Sequence, residues 1–408
     1  MTRRLWAAVI GAHLLTVGIA PFLLPTPTDP TYMRIWASLI VERGLLNAYN
    51  WSDDEVRDRY NCLYNVNYPP AFLYIYGPLA ELLSAFDLWP INSRILADLF
   101  IRLPVALLQL MLIFALTRTR VTEPAGLSRE RVLLFVGCNP ICLLVGPVWG
   151  QLDVVLWGVA TLGVLAVARG ATGIGGIWTA IGIITKPQIL LFLPVLGAAA
   201  LRRGRGREIG RLAVGTVVGV IVLAAPFLLT SGFLWAERGY VRVFAENSNS
   251  VTVTGYNMWW VAHLATGIQL ADERIFGITA KNLGLLCVAV LGIAGALALL
   301  RDQQNRSPLG LLTLHLAACF FFMTGMHERF LVYAVASAAL WAAADPRALW
   351  AAALLGLAQL LNLPVNTVKT QLPPAGVTAV GLTAAVCVLL GLVSAVIAFS
   401  RPSARGAC

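Results

Sequence analysis

Charge is scarce in this chain: Asp, Glu, Lys and Arg together make up 12% of its 408 residues, about half the ~25% usual for soluble domains. So little charge, set against 58% hydrophobic residues, excludes an ordinary soluble globule. Lysine is nearly missing. Only Lys186, Lys281 and Lys369 occur, so arginine carries the net charge of +10. A basic balance would suit nucleic acid, but no nucleic-acid module is present, and the arginines fall in clusters between apolar runs. The seven cysteines show no paired spacing: Cys138 and Cys142 lie one helical turn apart in an apolar run, and Cys62 stands alone. That excludes a disulfide framework and supplies no Cys/His metal set. Tandem repeats, low-complexity tracts and a separate soluble domain are lacking as well.

Hydrophobic sequence is what the chain has in abundance. Mean hydropathy is +0.76, and apolar runs of spanning length recur about a dozen times. The fold class is therefore all-α, a polytopic membrane protein, with residues 1–408 forming one integral membrane domain. The first span is Leu5 to Leu24, read as uncleaved with its N-terminus in the cytoplasm. Residues 25–93 form a large first external loop, and 231–280 a second. Within the first loop, Ala71 to Trp89 contains Gly77-Pro78, Glu81 and Asp87, and reads as a horizontal or re-entrant helix. Further spans are predicted at Arg94–Leu116, Val132–Val148, Val154–Ala168, Gly173–Thr185, Ile189–Leu201, Leu212–Leu229, Asn282–Leu300, Leu309–Thr324, Leu331–Ala344, Leu349–Leu361 and Gly376–Phe399. With the first, that is about twelve, both termini lying inside. Arg202 to Arg211 reads as a cytoplasmic linker. This topology puts 17 of the 30 Lys and Arg but only 5 of the 20 Asp and Glu on the cytoplasmic side, the asymmetry expected of inner loops.

Polar clusters then open on the outer side. They are Asp29, Asn67-Tyr68-Pro69-Pro70, Gly150-Gln151-Leu152-Asp153, Lys186-Pro187-Gln188, Ser248-Asn249-Ser250 with Asn257-Met258-Trp259-Trp260, and His327-Glu328-Arg329-Phe330. Ionisable groups are costly at membrane depth and mark function there. Several clusters at one face point to a single site shared by a long loop and several helix ends. Asp98 and Arg102, four residues apart on one helix, read instead as a mutually satisfied pair. His13 and His315, alone in apolar runs, read as packed core histidines.

In their order, these motifs resemble the GT-C membrane glycosyltransferases. The likeness is nearest to bacterial relatives of the mannosyltransferases that build glycosylphosphatidylinositol anchors and phosphatidylinositol mannosides. The resemblance runs from Asp29 to about Phe330. It implies a GT-C-type bundle in the plasma membrane of a cell envelope, with an extracytoplasmic active site. It also implies inverting transfer of a sugar, mannose first, from a polyprenyl-phosphate donor to a lipid or glycan acceptor.

In that setting Asp29 is the expected catalytic base, since the acceptor hydroxyl must lose a proton as it attacks. Arg329, His327 and Lys186 are the expected donor phosphate ligands, a guanidinium gripping two oxygens and a lysine supplying a point charge. Tyr68, Gln151, Asp153, Gln188, Asn257, Trp259 and Glu328 are the expected substrate-binding residues. The lipid-linked sugar is a substrate rather than a cofactor, and no metal is expected. A secondary transporter or lipid-linked sugar flippase is the rival reading; it predicts internal repeats and a site at mid-depth.

Overall fold

The computed structural model describes residues 1–23, 28–62, 65–91, 93–118, 127–247, 249–301, 306–368 and 373–401, with side chains described for all of these except 23, 28–30, 205, 246, 247 and 364–368. Helices dominate. In chain order they are α1 (Thr2–Leu23), α2 (Thr28–Arg43), α3 (Asp53–Tyr60), α4 (Ala71–Ala85) and α5 (Arg94–Arg118). After a bent pair come α6 (Asp153–Ala168), α7 (Thr172–Thr185), α8 (Leu193–Ser231), α9 (Met258–Thr266) and α10 (Ala280–Arg301). The last are α11 (Pro308–Phe322), α12 (Leu331–Ala344), α13 (Leu349–Val368) and α14 (Pro374–Ser400). Among the described residues the one sheet is a small antiparallel hairpin, β1 (Arg274–Ile275) with β2 (Ile278–Thr279).

The protein is an all-α polytopic membrane protein. Among the described residues five helices are long and apolar enough to cross a bilayer, in α1, α5, α8, α10 and α14, and the bent pair Arg129–Gly137 with Pro140–Val148 makes up to six. The bend of 56° follows from its sequence. Pro140 has no N–H to continue the first segment, and Asn139 caps the second by accepting from Ile141 N at 2.9 Å. Of the remaining predicted spans, three are shorter helices of the interior. α6 and α12 are buried on every residue and α11 on every residue but Phe322, which explains why they are apolar all round. At 14 to 16 residues they are about 21–24 Å long, less than the ~30 Å hydrocarbon layer.

Every residue from Leu193 to Ser231 has helical backbone, the predicted linker Arg202–Arg211 included, and the membrane-length part begins within it at Gly206. A straight helix of those 39 residues would be about 58 Å long, yet α8 doubles back. Its first part keeps step with α6, Leu196 lying against Gly163 and Arg203 donating to the Ala168 carbonyl. Its second part keeps step with α7, where Glu208 accepts from Thr172 at 2.6 Å and Gly219 lies against Ala180. α6 and α7 are themselves antiparallel, joined through Gly170 at φ +87°, so α8 reverses near the arginines.

This antiparallel order gives the bundle two unlike ends. One carries the start of α6, the end of α7, the start of α10 and the turn before α12. The other gathers Thr2 with Glu130, Arg202 with the Arg306 carbonyl, and Arg347 with the Arg401 carbonyl. At the first end α4 packs on α2 and α5, Tyr76 donating to Ile101 O at 2.9 Å and Tyr74 to Leu223 O at 2.7 Å.

Candidate active site

Asp153 is the hub of the first end. Gly150, at φ +77°, lets the chain leave the bent pair sharply. Asp153 then opens α6, where unsatisfied N–H groups and the helix dipole favour a carboxylate. Lys186 arrives from the other side. Pro187 disfavours helical backbone at the residue before it, and Lys186 is extended at φ −157°, ψ 146°, ending α7. Its ammonium therefore meets Asp153 Oδ2 at 2.8 Å and Gln151 Oε1 at 3.3 Å, the two charged side chains being 3% and 0% exposed. The Tyr333 hydroxyl donates to Asp153 Oδ1. Arg329 Nε lies 3.9 Å from Asp153 Oδ2, so one carboxylate stands between two cations.

The segment bearing Arg329 is braced by the loop at 249–257. Gly325, at φ +70°, donates to Val251 O at 3.2 Å, and Gly255 N donates to Met326 O at 3.0 Å. Glu328, Asn257 and Trp259, expected to touch substrate, are spent on this bracing and are not among the residues that line the cavity described next. Buried Glu328 accepts from the Thr254 hydroxyl. Asn257 caps α9 and donates to the Phe320 and Met323 carbonyls at 3.1 Å each. The Trp259 indole donates to Phe322 O.

A cavity of about 690 Å³ opens beside these groups. Lys186, Gln188, His327, Arg329 and Tyr68, all named from the sequence as candidates, line it. Gln151 and Asp153 stand behind Lys186. Tyr32, Trp36, Asn67 and Lys281 add to its polar and aromatic wall, together with Thr324, His315, Phe244 and Phe330. The Lys186 ammonium sits 5.2 Å from the Tyr68 ring centre, and Tyr68 in turn packs on Trp36 at 5.4 Å. Among the described residues the lining has three cations and no carboxylate. Two buried amide oxygens on it, Asn67 Oδ1 and Gln188 Oε1, have no hydrogen-bond partner among the described residues. The rest of the wall is apolar, with Leu190, Leu191, Pro194, Leu285 and Val288 forming a lane away from the cations.

Asp29 falls in the first turn of α2, but its side chain lies outside the described residues, as does Ser248. Sequence reasoning missed Tyr333 and gave Lys281 no role. A lone tyrosine three residues beyond Phe330 and a lone lysine opening an apolar run were the available signals.

Fold and site together define an integral membrane protein whose polar groups converge on a cation-lined cavity at one end of the bundle. The chain belongs to glycosyltransferase family 87, whose family model matches residues 66–325. That span takes in Tyr68, Gln151, Asp153, Lys186, Gln188, Asn257 and Trp259, and stops just short of His327. No curated protein matches the chain. It is thus a membrane glycosyltransferase.

Proposed function

We propose that the enzyme transfers a sugar, mannose being the first to test, from a polyprenyl-phosphate donor to a lipid or glycan acceptor at the extracytoplasmic face. The observation that carries this reading is the shape of the cavity's chemistry: cations without a facing carboxylate at one end, an apolar lane at the other. A donor with an anionic head and a long hydrocarbon tail is complementary to both. The arginine-rich opposite end then faces the cytoplasm. The site at one end of the bundle favours this enzyme over a transporter with a mid-depth site.

The acceptor hydroxyl oxygen attacks the anomeric carbon, and the bond from that carbon to the phosphate oxygen breaks. Its electron pair leaves with polyprenyl phosphate, whose charge Arg329 and Lys186 meet, with His327 beside them. The hydroxyl proton passes to a carboxylate, for which Asp29 is our candidate. One displacement inverts the anomeric centre. The sugar lies against Trp36 and Tyr68, its hydroxyls donating to Asn67 and Gln188. Written this way, the leaving phosphate is stabilised by protein cations and the step calls for no metal.

Membranes carrying the enzyme, incubated with a panel of radiolabelled polyprenyl-phosphate sugars, should label a product from one of them and from no nucleotide sugar. Transfer from a nucleotide sugar alone would overturn the reading.

A further inference from the structure

We propose that Lys281 captures the phosphate head of a lipid entering the cavity sideways, between α10 and the start of α8; this rests on the polyprenyl-phosphate reading above. The first turn of α10 is fixed where the β1–β2 hairpin ends, Lys281 N donating to Ala271 O at 2.9 Å. Lys281, Leu285 and Val288 are spaced by four and three residues, so they share one helical face, and all three line the cavity. Leu190 and Pro194 line it from across the gap.

The wall is open at that seam. Leu190 is 42% exposed and Leu285 43% exposed while both also line the cavity, so its inner wall is continuous with the outer surface of the bundle. The outer face of α10 below it is apolar, Leu286, Val290 and Ile293 being exposed along a helix of spanning length. The opening therefore gives onto hydrocarbon rather than water.

A cation placed over an apolar lane selects an amphiphile with an anionic head. Lys186 is tied to Asp153, and Arg329 lies near the same carboxylate. Lys281 makes no ion pair and no side-chain hydrogen bond among the described residues, and its side chain is exposed. A lysine that only snorkelled to bulk headgroups could stand on any face of the helix. Lys281 stands on the cavity face. It is a positioning residue for the lipid, its ammonium holding the head of a bound lipid whose tail lies in the seam.

The test measures equilibrium binding of decaprenyl monophosphate and, separately, of inorganic phosphate to the wild type, Lys281→Gln and Lys281→Arg in lipid nanodiscs. Lys281→Gln should bind the lipid roughly tenfold more weakly, from loss of one charge-assisted contact, and Lys281→Arg near the wild-type level. Inorganic phosphate, which needs no lateral entrance, should bind both variants as it binds the wild type. Unchanged lipid binding by Lys281→Gln would overturn the role of Lys281 while leaving the donor reading standing. Equal weakening for both probes would overturn it too, placing Lys281 in the phosphate centre itself. A wild type that ignores decaprenyl monophosphate would defeat the donor reading and this inference with it.

Discussion

Asp153 serves two cations at once, so the two halves of its ion pair are not equivalent. Lys186→Met leaves the carboxylate with the Tyr333 hydroxyl and with Arg329 3.9 Å away. Asp153→Asn leaves Lys186 and Arg329 near one another with no carboxylate between them. Breaking a buried pair costs about 3–5 kcal/mol, and Asp153→Asn should show that full loss in thermal unfolding while Lys186→Met shows less. Equal losses would mean that Arg329 draws nothing from the carboxylate. Catalysis separates the cations differently. Arg329→Ala should raise the donor KM by about tenfold or more, and Arg329→Lys should recover only part, because the two-pronged grip is lost. Normal donor kinetics in Arg329→Ala would reduce the segment to a turn. Asp29→Asn should slow the chemical step by about 10²-fold with donor binding retained; turnover at the wild-type rate would move the base elsewhere, Asp58 and Asp153 being next.

α3 shows how an element outside the membrane is held, and by what it is lost. Ser52 and Glu55 form a reciprocal capping box, Glu55 accepting from Ser52 N at 2.7 Å and Ser52 from Glu55 N at 3.2 Å. Arg43 adds an ion pair at 2.7 Å. The backbone bond from Ser52, then the bond from Arg43, lower the Glu55 carboxyl to about 2 from its ordinary 4.5. A carboxylate depressed on folding stabilises fully above its unfolded value, and that contribution fades as pH falls from 4.5 toward 2. Amide exchange in Asp53–Tyr60 should therefore be constant from pH 7 to about 5, after correction for intrinsic rates, and quicken below about 4. Glu55→Gln should exchange faster at pH 7 and lose that dependence; a pH-independent wild type would discount the cap. The cap was legible as Ser-Asp-Asp-Glu. Helix existence was legible almost throughout, because long apolar runs leave few alternatives. The helical backbone within the reversal at Arg202–Arg211 was not, because arginine and glycine mark a connection without saying what conformation its residues take. Nor was the division of labour within polar motifs. Asn257 and Arg329 look equally functional as letters, and only tertiary partners send the first to the Phe320 and Met323 carbonyls and the second to a cavity wall.

At the scale of the whole molecule, the reversal of α8 decides which surfaces lie on the same side of the membrane. If α8 ran straight, its two ends would lie on opposite faces and every later helix would change direction. Because it reverses, Glu208 stays level with Thr172, and Thr230 returns to the first loop, donating to Leu46 O at 2.8 Å. Asp54 beside the cavity end and Arg207 in the reversal are both exposed and belong to opposite ends of the bundle. Single cysteines placed at these two positions in a cysteine-free background should therefore differ in sealed cells. Asp54→Cys should react with an impermeant maleimide added from outside, and Arg207→Cys only after the membrane is opened. In the orientation proposed above, the arginine-clustered second end is cytoplasmic and the cavity is extracytoplasmic. Reaction of Arg207→Cys in intact cells would invert the protein and put the donor site in the cytoplasm. Reaction at both positions would mean that α8 does not turn back within the bilayer as its contacts with α6 and α7 require.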